Sequence, residues 1–590
     1  MAAQLTADHS STGALVGRAD HIVAIDQGTT STRVIVFDRQ AKAVASAQRE
    51  HRQIFERPGW VGHDATEIWR TTEALLHEAL RKARIAKDRI AGIGITNQRE
   101  TAVVWDAATG EPIGDAIVWQ DTRTQSIVDA LAAEVDPATG EPYGTERLRA
   151  ITGLPLASYF SAGKVRWMLD EIPGARERAE RGELRFGTID SWLVYNLTGG
   201  PGPSTGSGSG LGDSGPSTGS GTGLGHSGPS TGSGGPGHLG PSTGSGTGGL
   251  HVTDVTNASR TQLCDIRTLD WSDEALRVFG IPRSMLPTIV SSSGPIGEVR
   301  GIAGLEGVPI AGILGDQQAA TFGQAAFEPG SAKHTFGTGG FLIVNTGEDP
   351  VFSQNGLLTT VAYRIGAERP VYALEGSVAV AGSLHHWLRD NLGLIRDSTE
   401  IEGLASSVPD TGGAFIVPAF SGLFAPRWQP DARGVIVGLT RFVTKAHLVR
   451  AASEACAYQT VEVIDAAAAD FVDADPSTGS GRGGMQLAEL RVDGGGSGSD
   501  MMMQFQADLL GIDVVRPENL ETTALGAAFA AGLATGVWAD LDELAGLVRE
   551  GRRWAPRMDA QDRARRLRLW NKAVARSLDW IDDDTRALAG

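Results

Sequence analysis

Cysteine is almost absent. Cys264 and Cys456 are the two in 590 residues, far apart and in no Cys-x-x-Cys pair. That excludes a disulfide-stapled scaffold and a cysteine-built zinc site, and it fits a reducing compartment. Long apolar runs are missing too. No stretch of about 18 uninterrupted apolar residues occurs, so no membrane-spanning helix is predicted. Residues 1–20 have no basic segment followed by an apolar one, which predicts no secretory leader. Positive charge is scarce: 52 Lys and Arg face 70 Asp and Glu, a formal net charge of −18. That balance argues against a nucleic-acid or anionic-membrane surface, though not against a locally positive pocket. The expected location is the cytoplasm.

The composition that remains is globular, with 41% hydrophobic residues. The chain is too long for one core, so two domains are the default. Residues 1–20 are small and polar and predict a disordered tail. Pro-Ser-Thr-Gly-Ser-Gly begins at Pro203, Pro216, Pro229 and Pro241, and again at Pro476. These repeats have almost nothing to bury, so residues 199–250 are expected to be a disordered insert and 474–484 a short low-complexity loop. The predicted division is 21–325 for a first domain and 326–550 for a second. A helical segment over 551–590 is expected to pack back on the body.

Four segments carry chemistry. Val308 to Leu314 reads as a buried strand, which places Asp316 just past a strand end. Alone, such an aspartate is more readily read as a helix N-cap. Asp26 to Arg33 joins two short apolar strands as a hairpin rich in glycine and hydroxyls. Gly28 allows backbone N–H groups to approach phosphate oxygens. No Gly-Lys-Ser/Thr opens a helix there, so it is not a Walker A loop. Arg99 and Glu100 follow the apolar strand Ile90 to Thr96. A guanidinium donates and a carboxylate accepts, so the pair can grip vicinal hydroxyls; a surface ion pair is the plainer reading. Gly337-Thr338-Gly339-Gly340 is a second Gly-Thr turn, mirroring the first. An acid, a polyol grip and two phosphate turns are the parts of a small-molecule kinase.

The strand–turn–strand at Asp26-Gln-Gly-Thr-Thr-Ser-Thr-Arg33 resembles the first phosphate hairpin of the FGGY carbohydrate kinases. The resemblance to that family continues at Pro58-Gly-Trp60, Ile93 to Glu100, Ala116 to Gln120, Phe186 to Trp192 and Thr253 to Arg260. The resemblance implies an α/β fold of two ribonuclease-H-like (actin/hexokinase-type) domains flanking a catalytic cleft. It also implies ATP-dependent phosphorylation of glycerol to sn-glycerol 3-phosphate, the first step of glycerol catabolism, with ATP and Mg2+ required. Asp316 would be the general base. Arg99, Glu100, Trp119, Tyr159, Gln317 and Phe341 would join it around the polyol. Thr29, Thr30, Ser31, Arg33 and Thr338 would serve the phosphates, and Asp26 the metal. Gly382, His386, Gly495 and Ser499 occupy the remaining nucleotide-contact positions. The partners expected are glycerol and ATP, with no nucleic acid and no membrane insertion. The expected assembly is a homodimer or homotetramer.

Some positions depart from the family pattern. Ser499 replaces a usual Asn in a glycine-rich turn, Gly495 to Asp500, which is expected to be more flexible. His386 stands where Gln is usual, and Arg427 where Tyr is usual. Gly301 to Gly307 lacks the arginine of a sugar-bisphosphate site, so no such inhibition is expected. The rival readings are a kinase for another polyol or sugar, and a catalytically impaired relative that only binds ligand.

Overall fold

The structure is a computed structural model that describes residues 19–201, 248–378, 380–420, 422–474 and 487–581. The repeats beginning at Pro203, Pro216, Pro229, Pro241 and Pro476 lie outside the described residues, as does nearly all of the 1–20 tail. Where the chain leaves and re-enters the insert it is closed on itself. Gly249 N donates to Gly200 O at 2.6 Å, and Leu250 N to Thr198 Oγ1 at 2.7 Å.

The first sheet has six strands: β1 (His21–Gln27), β2 (Ser31–Phe37), β3 (Ala43–Glu50), β4 (Ile90–Asn97), β5 (Ser293–Glu298) and β6 (Pro309–Gly315). Their order is β5-β6-β4-β1-β2-β3. The central strands β6, β4 and β1 run parallel, with Gln27 opposite Asn97 and Asn97 opposite Gly315. Their apolar runs are buried on both faces, as central parallel strands require. Their carboxyl ends meet at one edge, where open α/β sheets place ligands.

The second sheet has seven strands: β7 (Ala332–Phe336), β8 (Gly340–Gly347), β9 (Leu358–Tyr363), β10 (Val371–Val378), β11 (Glu489–Asp493), β12 (Asp513–Pro517) and β13 (Glu550–Trp554). Their order is β9-β10-β8-β7-β11-β12-β13. The β7–β8 hairpin with β11 parallel to β7 repeats the plan of β1–β2 with β4.

Two features show how the sheets are covered and edged. The helix Thr522–Thr535 falls within 326–550 but covers the first sheet. A Cβ on Gly94 would lie 2.0 Å from Ala527 O, and one on Gly526 only 1.8 Å from Ala319 O. The small residues of this helix stand where its backbone comes closest to the strand β4 at Gly94 and to the helix that carries Ala319. The second is at the C-terminus. Residues 550–554 are an edge strand of the second sheet, and the helix Ala560–Val574 follows it. Its Trp570 stacks on Tyr458 with ring centroids 4.9 Å apart.

Candidate active site

Asp316 is the first residue of the helix Asp316–Gly323, and Gly315 rather than Asp316 is the N-cap position. Its carboxylate accepts from its neighbour Gln317 N at 2.7 Å and lies 3.0 Å from Arg99 Nε. The side chain keeps 30% of its surface exposed, at the cleft, while Arg99 keeps 2%. Glycine at 315 is required for this arrangement, since a Cβ there would lie 2.7 Å from Arg99 Cδ. Asp316 and Arg99 meet because β6 and β4 end side by side.

Arg99 and Glu100 do not grip each other. The closest approach of Arg99 Nε to Glu100 Oε1 is 3.9 Å. Glu100 adopts φ 60°, a left-handed backbone rare for a non-glycine residue and of the kind that collects at functional sites. This turns its carboxylate toward Arg260 Nε, 2.6 Å away. Both Arg99 Nη atoms donate to Glu375, on β10 of the second domain, with Nη2 to Oε1 at 3.0 Å. Arg260 Nη2 donates to the same Oε1 at 3.1 Å. Burial pushes the Glu100 carboxyl up, and Arg99 and Arg260 only partly reverse it. Glu375 is equally buried, but Arg260 and Arg99 outweigh the burial and hold it below the usual carboxylate range. The difference follows the donors: Glu375 receives three guanidinium N–H groups and Glu100 one.

Three aromatic rings wall the cavity in front of these charges. Trp119 meets Tyr159 edge-on at 5.7 Å and Phe341 at 5.9 Å, the latter reaching over from the second domain. The Tyr159 phenol is pushed up by burial and stays protonated, so it can donate to a ligand hydroxyl. The cavity is about 320 Å³, at the small end of the roughly 300–1,000 Å³ of small-molecule sites. Its mouth is lined by Thr29 and Thr30 from the first hairpin turn and by Thr338 and Gly339 from the second. Arg99, Glu100, Trp119, Tyr159, Asp316, Phe341, Thr29, Thr30 and Thr338 thus surround one space.

Other expected site residues sit around it. The Gln317 amide oxygen accepts from Lys333 Nζ at 2.6 Å, so the side chain is tied behind Asp316. Arg33 pairs with Glu521 and donates to Gln48 Oε1 at 3.0 Å, while Ser31 accepts from Gln48 Nε2 at 3.0 Å. Neither Arg33 nor Ser31 lines the cavity. The side chain of Asp26, at the end of β1, makes no hydrogen bond or ion pair among the described residues, although its backbone is paired with β2 and β4. Burial pushes its carboxyl up to about 7, against Arg33 and with help from Asp316 and Glu521.

On the far side of the second turn the backbone is bare. A Cβ on Gly382 would lie 2.6 Å from Gly337 O, and one on Gly494 would lie 2.6 Å from Phe336 O. Gly495, by contrast, has nothing within 4 Å of that point. Gly382 and Gly494 are thus packed backbone to backbone against the second turn and the strand before it, and the space beside Gly495 is open. The turn expected to be flexible is tied down. Arg516 Nη1 donates to Ser497 O at 2.6 Å, and the Ser499 hydroxyl caps the helix Asp500–Leu510 by accepting from Met502 N at 3.2 Å. Ser499 also donates to Glu402. His386 is exposed on the helix Gly382–Asp390, and Arg427 forms an ion pair with Glu462 at 2.8 Å.

Sequence reasoning passed over Gln53, Phe55 and Gln120, which also line the cavity, and Arg260, Glu375 and Lys333 behind it. A signal existed for two of these. Lys333 stands in the middle of the short strand β7 and Glu375 within the mostly apolar strand β10, and a charge inside a buried strand must find a partner.

Residues 21–209 and 246–323 match the FGGY family of carbohydrate kinases, N-terminal domain, and residues 332–535 match its C-terminal domain. A protein named glycerol kinase from Leifsonia xyli subsp. xyli is 55% identical over 568 residues, covering 96% of this chain and 99% of that one. Another of that name, from Clavibacter michiganensis subsp. michiganensis, is 54% identical over 566 residues, with 96% and 99% covered. The crystal structure of Plasmodium falciparum glycerol kinase with ADP superposes with a TM-score of 0.79 at 35% identity, over 96% of this chain and 99% of that one. A xylulose kinase from Lactobacillus acidophilus, 20% identical with a TM-score of 0.74 over 94% of this chain and 96% of its own, shares the fold.

Proposed function

The chain belongs to the FGGY family of carbohydrate kinases, and from that premise we propose that it transfers the γ-phosphoryl group of ATP to glycerol. The products are sn-glycerol 3-phosphate and ADP. The observation that carries the reading is the single cavity in which Asp316 and Arg99 stand among Trp119, Tyr159 and Phe341, with both threonine turns at its mouth.

In this reading the polyol carbon chain lies against the three rings. Arg99 and the Tyr159 hydroxyl donate to its oxygens, and Glu100 accepts. The hydroxyl to be phosphorylated points at Asp316, which takes its proton as the bond to phosphorus forms and that to the ADP oxygen breaks. Proton transfer of this kind contributes about 10²–10⁴-fold. The rest comes from holding the reactants in line and from fixed donors around the phosphoryl group, here Thr29, Thr30 and Thr338. The adenosine side of ATP is assigned to Gly382 and Gly494 to Gly496. Gln317, held by Lys333, supports Asp316 from behind. Arg33 and Ser31 shape the first turn from its outer side. Phe341 and Thr338 come from the second domain, so its approach both completes the site and keeps water out.

The cleft residues fit Mg2+. Asp26 offers a carboxylate with no protein partner beside a second carboxylate, Asp316, and no cluster of three or more metal-ligating side chains exists among the described residues. That suits an ion that keeps most of its waters and takes phosphate oxygens. When bound, Mg2+ would offset charge on the β- and γ-phosphates. No helix among the described residues is long and apolar enough to cross a membrane. A cytoplasmic location and a homodimer or homotetramer are proposals resting on the family resemblance.

The test is ADP release by the purified protein with Mg-ATP, with and without glycerol, followed by a panel of polyols and pentuloses. Glycerol-dependent release, with glycerol giving the highest kcat/KM, is expected. A higher kcat/KM for another acceptor would overturn the choice of substrate.

A further inference from the structure

Behind the cavity lies a closed set of four buried charges contributed by both domains. Arg99, Glu100 and Arg260 come from the first domain, and Glu375 from β10 of the second. Glu375 is 0% exposed in a strand whose other residues are almost all apolar. Its two oxygens take the whole fork of Arg99 and one arm of Arg260. Arg99 Nη1 also donates to Gln318 Oε1 at 3.2 Å, and Gln318 Nε2 in turn donates to Val361 O at 3.2 Å on β9. Only Nε of Arg99 is left to face Asp316, at 3.0 Å.

The charges balance in pairs: two guanidinium groups against two buried carboxylates, with Asp316 as a third carboxylate at the rim. Without Glu375, Arg99 would have Asp316 as its nearest carboxylate, and its fork would be free to turn onto the proposed base. Arg260 would lose the partner that holds its far arm, and Glu100 would lose its fixed donor. A buried ion is tolerated only where such partners are complete.

We propose that Glu375 is a positioning residue that makes the polyol grip depend on the second domain, by holding the Arg99 fork off Asp316 and fixing Arg260 against Glu100. The proposal rests on the reading that this cavity binds the acceptor. It implies that the second domain shapes the acceptor pocket from beneath, through Glu375, as well as closing it from above with Phe341. The charged groups facing Asp316 are Arg99 from the end of β4, Asp26 from β1 and Lys333 from β7. Of these, Arg99 is hydrogen-bonded to Glu375 and Lys333 also feels its charge, so the direct route from Glu375 to Asp316 runs through Arg99.

The experiment compares Glu375→Gln, Glu375→Asp and Arg260→Lys with the unaltered protein. Each is measured for kcat, KM of glycerol and KM of ATP. Glutamine keeps the shape of Glu375 and removes its charge. Glu375→Gln should raise the KM of glycerol at least about tenfold and leave that of ATP within twofold. Glu375→Asp should fall between Glu375→Gln and the unaltered protein in the KM of glycerol. Arg260→Lys loses the fork between Glu100 and Glu375. It should raise the KM of glycerol and leave that of ATP within twofold, so the proposal stays testable if Glu375→Gln does not fold. Equal losses for glycerol and ATP, or an unchanged KM of glycerol in Glu375→Gln, would overturn it. If the unaltered protein releases no ADP with glycerol, the substrate reading fails instead, and the acceptor that does stimulate release replaces glycerol in the same comparison.

Discussion

Trp119 donates its indole N–H to the side-chain oxygen of Thr29 at 2.9 Å. One residue belongs to the wall assigned to the polyol and the other to the first phosphate turn, so the two halves of the cavity are joined by a hydrogen bond. The Thr29 carbonyl is held as well, by Gln53 Nε2 at 3.0 Å, and Gln53 Oε1 accepts from His63 Nε2 at 2.9 Å. Burial pushes the His63 ring down to about 3, so it acts as a neutral strut.

Trp119→Phe keeps an apolar wall and removes the donor. The expected result is a kcat lowered about fivefold, equivalent to about 1 kcal/mol for one hydrogen bond, with the KM of glycerol changed less than threefold. Steady-state kinetics with glycerol as the varied substrate checks it. A large rise in that KM with unchanged kcat would mean that the indole serves glycerol alone.

Asp26 is pushed up to about 7, chiefly by burial. Below that pH its carboxyl is neutral and a cation must displace a proton to use it. The apparent affinity for Mg2+ should therefore be flat above pH 7 and weaken by up to about tenfold per pH unit below it, the limit for one proton. Asp26→Asn should abolish the slope. Mg2+ titrations of glycerol-dependent ADP release at pH 5.5, 6.5 and 8 measure this, with pH-independent affinity in the unaltered protein as the opposing outcome.

Gly526→Ala places a methyl group 1.8 Å from Ala319 O, where only backbone can give way. Ala319 sits in the helix that begins at Asp316. The substitution should cost at least about 2 kcal/mol of stability, seen as a lower thermal midpoint, and should also lower kcat by displacing Asp316. A midpoint and kcat equal to those of the unaltered protein would show that the two helices are not rigidly packed.

Much of this arrangement is legible in the sequence, for reasons that are local. Apolar runs ending in Asn97-Gln98-Arg99 and in Gly315-Asp316 predict strands with polar tips, and the turn at Gly28 to Thr30 is set by its own residues. What is not legible depends on partners far along the chain. Arg99 reads as the partner of adjacent Glu100, yet it is bound by Glu375, because the left-handed backbone at Glu100 turns that side chain away. The helix Thr522–Thr535 looks like part of the second domain because it follows β12, and only the close approach at Gly94 and Gly526 shows that it serves the first. The glycine-rich stretch at Gly495 to Ser499 suggests flexibility. Its restraints, Arg516 and Glu402, lie outside the stretch itself.

The assignment of Asp316 as the base is tested most directly by Asp316→Asn, with turnover and glycerol binding measured on the same preparation. Asparagine keeps the size of the side chain and its reach to the cavity but cannot take a proton at neutral pH. Turnover should fall by about 10²–10⁴-fold, while glycerol binding, followed by the fluorescence of Trp119 in the cavity wall, should stay within about threefold. Turnover near that of the unaltered protein would remove Asp316 from the role of base.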